Sequence, residues 1–356
     1  MKIFVSAALG AVCLFAAALP ADAQAQAQTK DFVINGEKIA DAALYDAAKK
    51  EGEFTLYGTI PTESMRITLD QFEKETGISY DYIRLPTAKM YDRVLAEHGA
   101  NKLAADYVGL TDLPLFKQWI DMGILASFKP LSFDALPAEL KDPDGRWYYT
   151  VRPITAMAVN TENVAEKDYP KSWTDLFDPK WKGKIGMPSM DAGGSALTLY
   201  AFLRLHVAPD AWQRLAANEP RIYATAAPTV ADLVRGRTSI GISGASAYIR
   251  EIENKAPVKV IFPKEGLAAF GEIGNVTATA RHPNAAKLYM SYILNKAGSS
   301  MVSKQGSYGT NPAAPPPSQG GLTFPPPNQV WTIKVADWEK YQESFPREWK
   351  EIFEKR

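Results

Sequence analysis

From Phe54 onward, short apolar runs alternate with longer segments whose apolar residues recur at helical spacing. This alternation restricts the chain to an α/β fold. The run FTLYG (54–58) leads to Met65, Leu69 and Phe72 at i, i+4 and i+7, then to Gly77 and a second run, YDYI (80–83). A second cycle carries Met90, Val94 and Leu95, closes near Gly99 and delivers the run DYVGL (106–110). Apolar residues at 3.6-residue spacing between runs of strand length predict βαβ units and a largely parallel sheet.

The cycling resumes after Lys184, with IGMP (185–188), a helix from about Ser195 to Leu205, RIYATA (221–226), a helix around Val230 to Val234, and TSIGI (238–242). Between the two series lies WYYTVRPITAMAVNT (147–161), which reads as an extended crossover. A later run, VKVIF (258–262) to NVTATA (275–280), carries the chain back, and Asn284 to Leu294 is again helical. The expected organisation is two lobes, each with its own sheet: 24–152 in the first, 153–270 in the second, and 271–356 returning to the first. Asn311 to Asn328 holds two Pro-Pro-Pro triplets and Gly320-Gly321, and is expected to be irregular or polyproline. The last helix carries Trp338, Tyr341, Phe345, Trp349 and Phe353 at helical spacing, and is expected to dock on the first lobe through core packing.

The N-terminus reads as a secretory leader over residues 1–23. Lys2 supplies the charge, Ile3 to Leu19 the apolar stretch, and Ala21-Asp22-Ala23 the cleavage site. The apolar stretch is shorter than the ~20 residues of a spanning helix, and Pro20 closes it. The only cysteine, Cys13, leaves with the leader, which removes disulfides, thiolate metal ligands and thiol nucleophiles from the exported chain. The 40 basic and 40 acidic residues cancel, so no field for nucleic acid or membrane surfaces is implied. The exported chain, roughly 330 residues, exceeds what one core organises.

In open α/β sheets, ligands sit beyond the carboxyl ends of the strands. That rule nominates the loops Thr59–Ser64, Leu85–Thr87, Leu110–Asp112, Ser189–Ser195, Thr225–Thr229 and Ser243–Ser246. They are rich in hydroxyls and glycines, at helix starts where unpaired N–H groups and the positive dipole end favour an anion. From them we single out Thr59, Thr87, Thr111, Asp112, Gly193, Gly194, Ser195 and Ser243 as ligand contacts. Asp191 or Ser195 could instead cap the helix that follows, and Asp112 the helix at Pro114. Arg84 and Arg152 are further candidates, as clamps on a carboxylate or phosphate. Surface ion pairing is the alternative for both. Tyr57, Tyr91, Tyr149, Tyr248 and Tyr308 are the tyrosines considered for a cleft, with Tyr248 retained as a ligand contact.

Several stretches together carry a family resemblance: KDPDGRWYY (141–149), KSWTDLFDPKWKGKIGMPSMDAGGSALTLYAFL (171–203), VADLVRGRTSIGI (230–242) and HPNAAKLYMSYIL (282–294). With FTLYGTIPTES and AADYVGLTD before them, they resemble the extracellular solute-binding proteins of ABC importers, in the branch with ferric-, phosphonate- and sugar-phosphate-binding members. The resemblance implies a type II periplasmic-binding fold, with two α/β lobes, two crossover strands and a ligand cleft between the lobes. It also implies a periplasmic monomer without cofactor, which delivers a small solute to an inner-membrane permease and its ATPase.

An anionic or zwitterionic cargo is the expectation: a phosphonate, a sugar phosphate or an organic carboxylate. Ferric iron is the alternative. Ferric binders of this family present two adjacent tyrosines after the strand matching TSIGI, where this chain reads Ser243-Gly244-Ala245-Ser246-Ala247-Tyr248. The pair is absent, so an iron site would have to use Tyr248 with Tyr308 and a carboxylate. An exported hydrolase is the remaining alternative. The chain lacks G-x-S-x-G, H-E-x-x-H and a Walker A loop, and His98, His206 and His282 read as structural.

Overall fold

The computed structural model describes residues 30–354; the leader expected at 1–23 lies outside them. Strand Glu53–Gly58 lies between Ser79–Arg84 and Tyr107–Leu110, all parallel, and the helices Thr62–Thr76 and Thr87–Gly99 make the connections. Each helix runs into a turn where the sequence predicts one: Gly77 adopts the left-handed conformation after the first, and Asn101 does so just beyond the second. Met65, Leu69, Phe72, Met90 and Val94 are buried as their spacing requires.

Tyr107–Leu110 pairs antiparallel with Glu272–Val276, which pairs in turn with the thirteen-residue strand Tyr148–Asn160. This is the crossover expected from the apolar run. Its first part belongs to the sheet of the first half. Its second part pairs with Ile240–Gly244, beyond which lie Ile185–Pro188 and Arg221–Tyr223, both parallel to their neighbours. Val258–Ile261 and Leu267–Ala269 also pair with the long strand, so the chain returns to the first half between Ala269 and Glu272. Pro153 sits in mid-strand, opposite the two-residue strand Ser307–Tyr308. A proline is tolerated there because the ladder is handed from one half-sheet to the other at that point and needs no N–H from it.

Two features depart from expectation. The proline-rich segment contains a tight hairpin, Ser318–Gln319 against Leu322–Thr323, with Gly320 and Gly321 at φ 59° and 74°. Two consecutive positive φ angles are what a two-residue hairpin turn demands, and Gly-Gly supplies them.

The C-terminal helix Val335–Phe353 packs chiefly on Gly194–Phe202 and Ala211–Ala217 of the second half, not on the first. It also packs on helix Leu113–Asp121 of the first half. Its aromatic stripe finds matching rings: Trp349 meets Tyr200 at 5.5 Å between centroids, and Phe345 meets Trp212 at 5.0 Å. Arg204–Glu348 and Lys350–Asp191 pair alongside. The sequence displays the stripe but not the rings that receive it.

Candidate functional site

The strand-end loops of the two half-sheets face one another, and a cleft of about 610 Å³ opens between them. Pro61 and Arg84 line it from the first half; Ala226, Ala227, Val230, Ser243 and Ala247 line it from the second. Arg84 and Ser243, chosen from sequence, are therefore brought together. Arg84 donates from Nε to the Thr59 carbonyl at 3.3 Å, and no other partner holds its terminal nitrogens among the described residues. Ser243 is 3% exposed and its hydroxyl is buried without a partner. A guanidinium with open Nη groups in one cleft with a serine whose hydroxyl lacks a protein partner offers donors to an anion.

Charge at the cleft favours the same ligand. Arg235 and Arg250 add to Arg84, against Glu251. Arg250 also reaches across to Glu63 at 3.4 Å, an exposed ion pair linking the halves. Neither Arg235 nor Arg250 was singled out from the sequence. The helical phase after TSIGI, which places positions 247 and 250 one turn apart on a common face, was the available signal for Arg250.

A second set of predicted residues also converges. The Thr87 and Thr111 hydroxyls bond at 2.9 Å. Across from them, Gly194 lies so close that a Cβ there would stand 2.7 Å from the Thr111 carbonyl oxygen. Gly193 has φ 118° and ψ −172°, a conformation open in practice only to glycine. It begins helix Gly194–Phe202 with no side-chain cap, so the first N–H groups of that helix stay uncapped by either Asp191 or Ser195. Ser189 caps the preceding turn instead, and Asp191 pairs with Lys350. Ser195 is half-buried at the helix start.

Other predicted contacts are occupied elsewhere. Thr59 is 8% exposed, and its hydroxyl and N–H both donate to Glu272 Oε2, at 2.8 and 2.7 Å, with Ile60 N–H joining at 3.2 Å. An internal carboxylate thus fills the donor nest that precedes helix Thr62–Thr76. Glu272 is fully buried, and burial raises its pKa despite the three hydrogen bonds. No local pattern in the sequence pointed to it, because it sits on the return strand 213 residues from Thr59.

Asp112 caps helix Leu113–Asp121 by accepting from Leu115 N–H at 3.1 Å, and also accepts from Gln342 of the C-terminal helix at 3.4 Å. Burial raises its pKa.

Three placements correct the sequence reading. Arg152 does not line the Arg84 cleft; it is buried at the crossover and donates to the Gly309 carbonyl at 2.9 Å. Tyr248 is fully buried beneath the second half-sheet, its hydroxyl against Gly241, and is no part of the cleft. One face of its helix turns into the core, and position 248 falls on that face while 247 faces the cleft. Tyr308 spends its hydroxyl on the Pro325 carbonyl at 2.6 Å.

Burial raises the pKa of both phenols, which opposes their use as phenolate ligands. Tyr57 bonds Glu97 and Arg93, Tyr91 bonds Gln118, and Tyr149 packs on Gly271. His282 holds Asp106 at 3.0 Å, a structural role.

A family model described as bacterial extracellular solute-binding protein matches residues 103–330. A Salmonella typhi protein named "putative 2-aminoethylphosphonate-binding periplasmic protein" is 25% identical over 250 residues, covering 67% of this chain and 71% of its own. Among solved structures, AfuA of Actinobacillus pleuropneumoniae, with exogenous fructose-6-phosphate bound, superposes with a TM-score of 0.66 at 23% identity, covering 86% of this chain and 99% of its own. Iron-bound HitA of Pseudomonas aeruginosa gives 0.66 at 20%, covering 83% and 99%. These likenesses to solved structures establish the two-lobed fold.

Proposed function

The chain belongs to the bacterial extracellular solute-binding proteins, and we propose that its cargo is a small anionic or zwitterionic solute, held in the cleft by Arg84 and Ser243. The carrying observation is that Arg84, with its terminal nitrogens open, and Ser243, whose hydroxyl has no protein partner, line one cleft with two further arginines and one glutamate. The uncapped start of helix Gly194–Phe202 offers further N–H donors to an anion. A phosphonate, a sugar phosphate or a carboxylate suits this set of donors. The Salmonella typhi relative and AfuA carry phosphonate and phosphate ligands in their names, which supports the first two.

Function is then capture and handover: the lobes close on the solute, and the closed form presents it to a membrane permease driven by its ATPase. No step of this needs a reactive group. Ferric iron is the weaker reading, since the tyrosines proposed for it lie outside the cleft.

Calorimetric titration with 2-aminoethylphosphonate, fructose-6-phosphate and small carboxylates tests the assignment. We expect saturable binding of at least one, weakened about ten- to a hundredfold by Arg84→Ala, the loss of a charge-assisted contact. Equal affinity in the variant would refute the role of Arg84.

A further inference from the structure

Arg152 poses a separate problem, because its charge is enclosed without compensation. It stands at the middle of the long crossover strand, 8% exposed, and spends one Nη on the Gly309 carbonyl. Its Nε is buried with no acceptor, and no carboxylate pairs with it among the described residues. Burial pulls its pKa down to about 10, in keeping with a cation left without a partner. Glu139, the acid whose field reaches it, is exposed at the rim. A buried guanidinium in this state is costly unless something supplies the missing charge and acceptors.

The space in front of it is a cavity of about 380 Å³, which shares no lining residue with the Arg84 cleft. Thr332 lines it too, and the Thr332 hydroxyl is likewise buried without a partner. Two residues that line one cavity, from the crossover strand and from the segment leading to the C-terminal helix, thus each carry a buried polar atom without a protein partner. The remaining walls set the apolar residues Leu140, Trp331, Ile333, Pro315 and Pro327 beside Asn328 and the exposed Lys334. Tyr308, Thr310 and Asn311 already spend their side-chain groups on Pro325, Tyr149, Leu294 and Ala313.

We propose that this cavity is a second ligand site, for a small organic monocarboxylate, with the carboxylate on Arg152 and Thr332 and the apolar body against Trp331, Leu140 and the prolines. Arg152 and Lys334 against Glu139 leave one net positive charge on the lining, which matches one negative charge on the ligand. The volume falls within the range of small-ligand pockets. Because the site is built on the crossover strand between the half-sheets, its occupant would sit at the hinge rather than between the lobes.

The test uses benzoate as the probe, titrated calorimetrically into the full exported chain. The expected result is saturable binding that stays within about twofold in Arg84→Ala and weakens at least about tenfold in both Thr332→Val and Arg152→Gln. Thr332→Val keeps the side-chain shape, so it carries the test if Arg152→Gln fails to fold. No saturable heat at millimolar benzoate would overturn the proposal. So would loss of binding in Arg84→Ala with Thr332→Val unaffected, which would place benzoate in the interlobe cleft. Inorganic phosphate competing as strongly as a second carboxylate would overturn the monocarboxylate assignment.

Discussion

Removing the carboxylate of Glu272 probes how the first half of the cleft is built. Glu272→Ala strands three buried donors at once: Thr59 N–H, Thr59 Oγ1 and Ile60 N–H, which now meet Oε2 at 2.7, 2.8 and 3.2 Å. Each buried donor left without a partner costs about 1–3 kcal/mol, and water entering the vacated space recovers part of that, so the expected loss is about 3–5 kcal/mol. Glu272→Gln keeps a carbonyl toward Thr59 but turns the partnerless Oε1 into an amide nitrogen with no acceptor, at a cost of about 1–2 kcal/mol.

The two forms separate with pH. Burial raises the folded-state pKa of Glu272 above the ordinary glutamate range. Its contribution is therefore fully present below that range and is lost as pH rises through the folded value. Glutamine does not titrate. The stability advantage of wild type over Glu272→Gln should be largest at acid pH, below the ordinary glutamate range, and shrink as pH rises above it in urea melts. A gap independent of pH, or a Glu272→Ala loss below about 1 kcal/mol, would refute the reasoning. Affinity should fall as well, because the Thr59 carbonyl that steadies Arg84 belongs to the same loop.

Three further outcomes follow from the geometry. Gly194→Ala places a methyl 2.7 Å from the Thr111 carbonyl oxygen and 3.3 Å from the Trp338 ring; the contact must open, so the variant should weaken solute binding several-fold, enlarge the particle in small-angle scattering and lower the melting temperature. Ser243→Ala removes a buried hydroxyl that has no protein partner, so urea melts should show equal or higher stability while titration shows weaker binding. Trp349→Ala empties a fully buried site against Tyr200 and Phe353, with an expected loss of about 3–5 kcal/mol in denaturant unfolding.

The alternation of strand and helix was legible because each element carries its own periodicity, and the crossover because Trp147 to Asn160 is an almost unbroken apolar run. The strand-end rule nominated the loops holding Thr111 and Gly194, which the fold sets against each other, and Ser243, which lines one cleft with Arg84, a residue chosen separately as a clamp. Glu272 was invisible because its partners are distant in sequence and its own neighbourhood reads as an ordinary strand. Tyr248 and Arg152 were misplaced for a related reason: which face of a helix or strand a residue takes depends on what packs there, and a shift of one position moves a side chain from cleft to core. The C-terminal helix displayed its sticky face, but the choice between two lobes depended on Tyr200 and Trp212, more than a hundred residues away.

The central claim is that the cleft holds a small organic anion through Arg84. Native mass spectrometry with elemental analysis, on protein recovered gently from the periplasm of its own host, tests it most directly. The account predicts a metal-free adduct of a small anion on the wild-type chain that disappears from Arg84→Ala. Iron at close to one per chain, retained in Arg84→Ala, would contradict it.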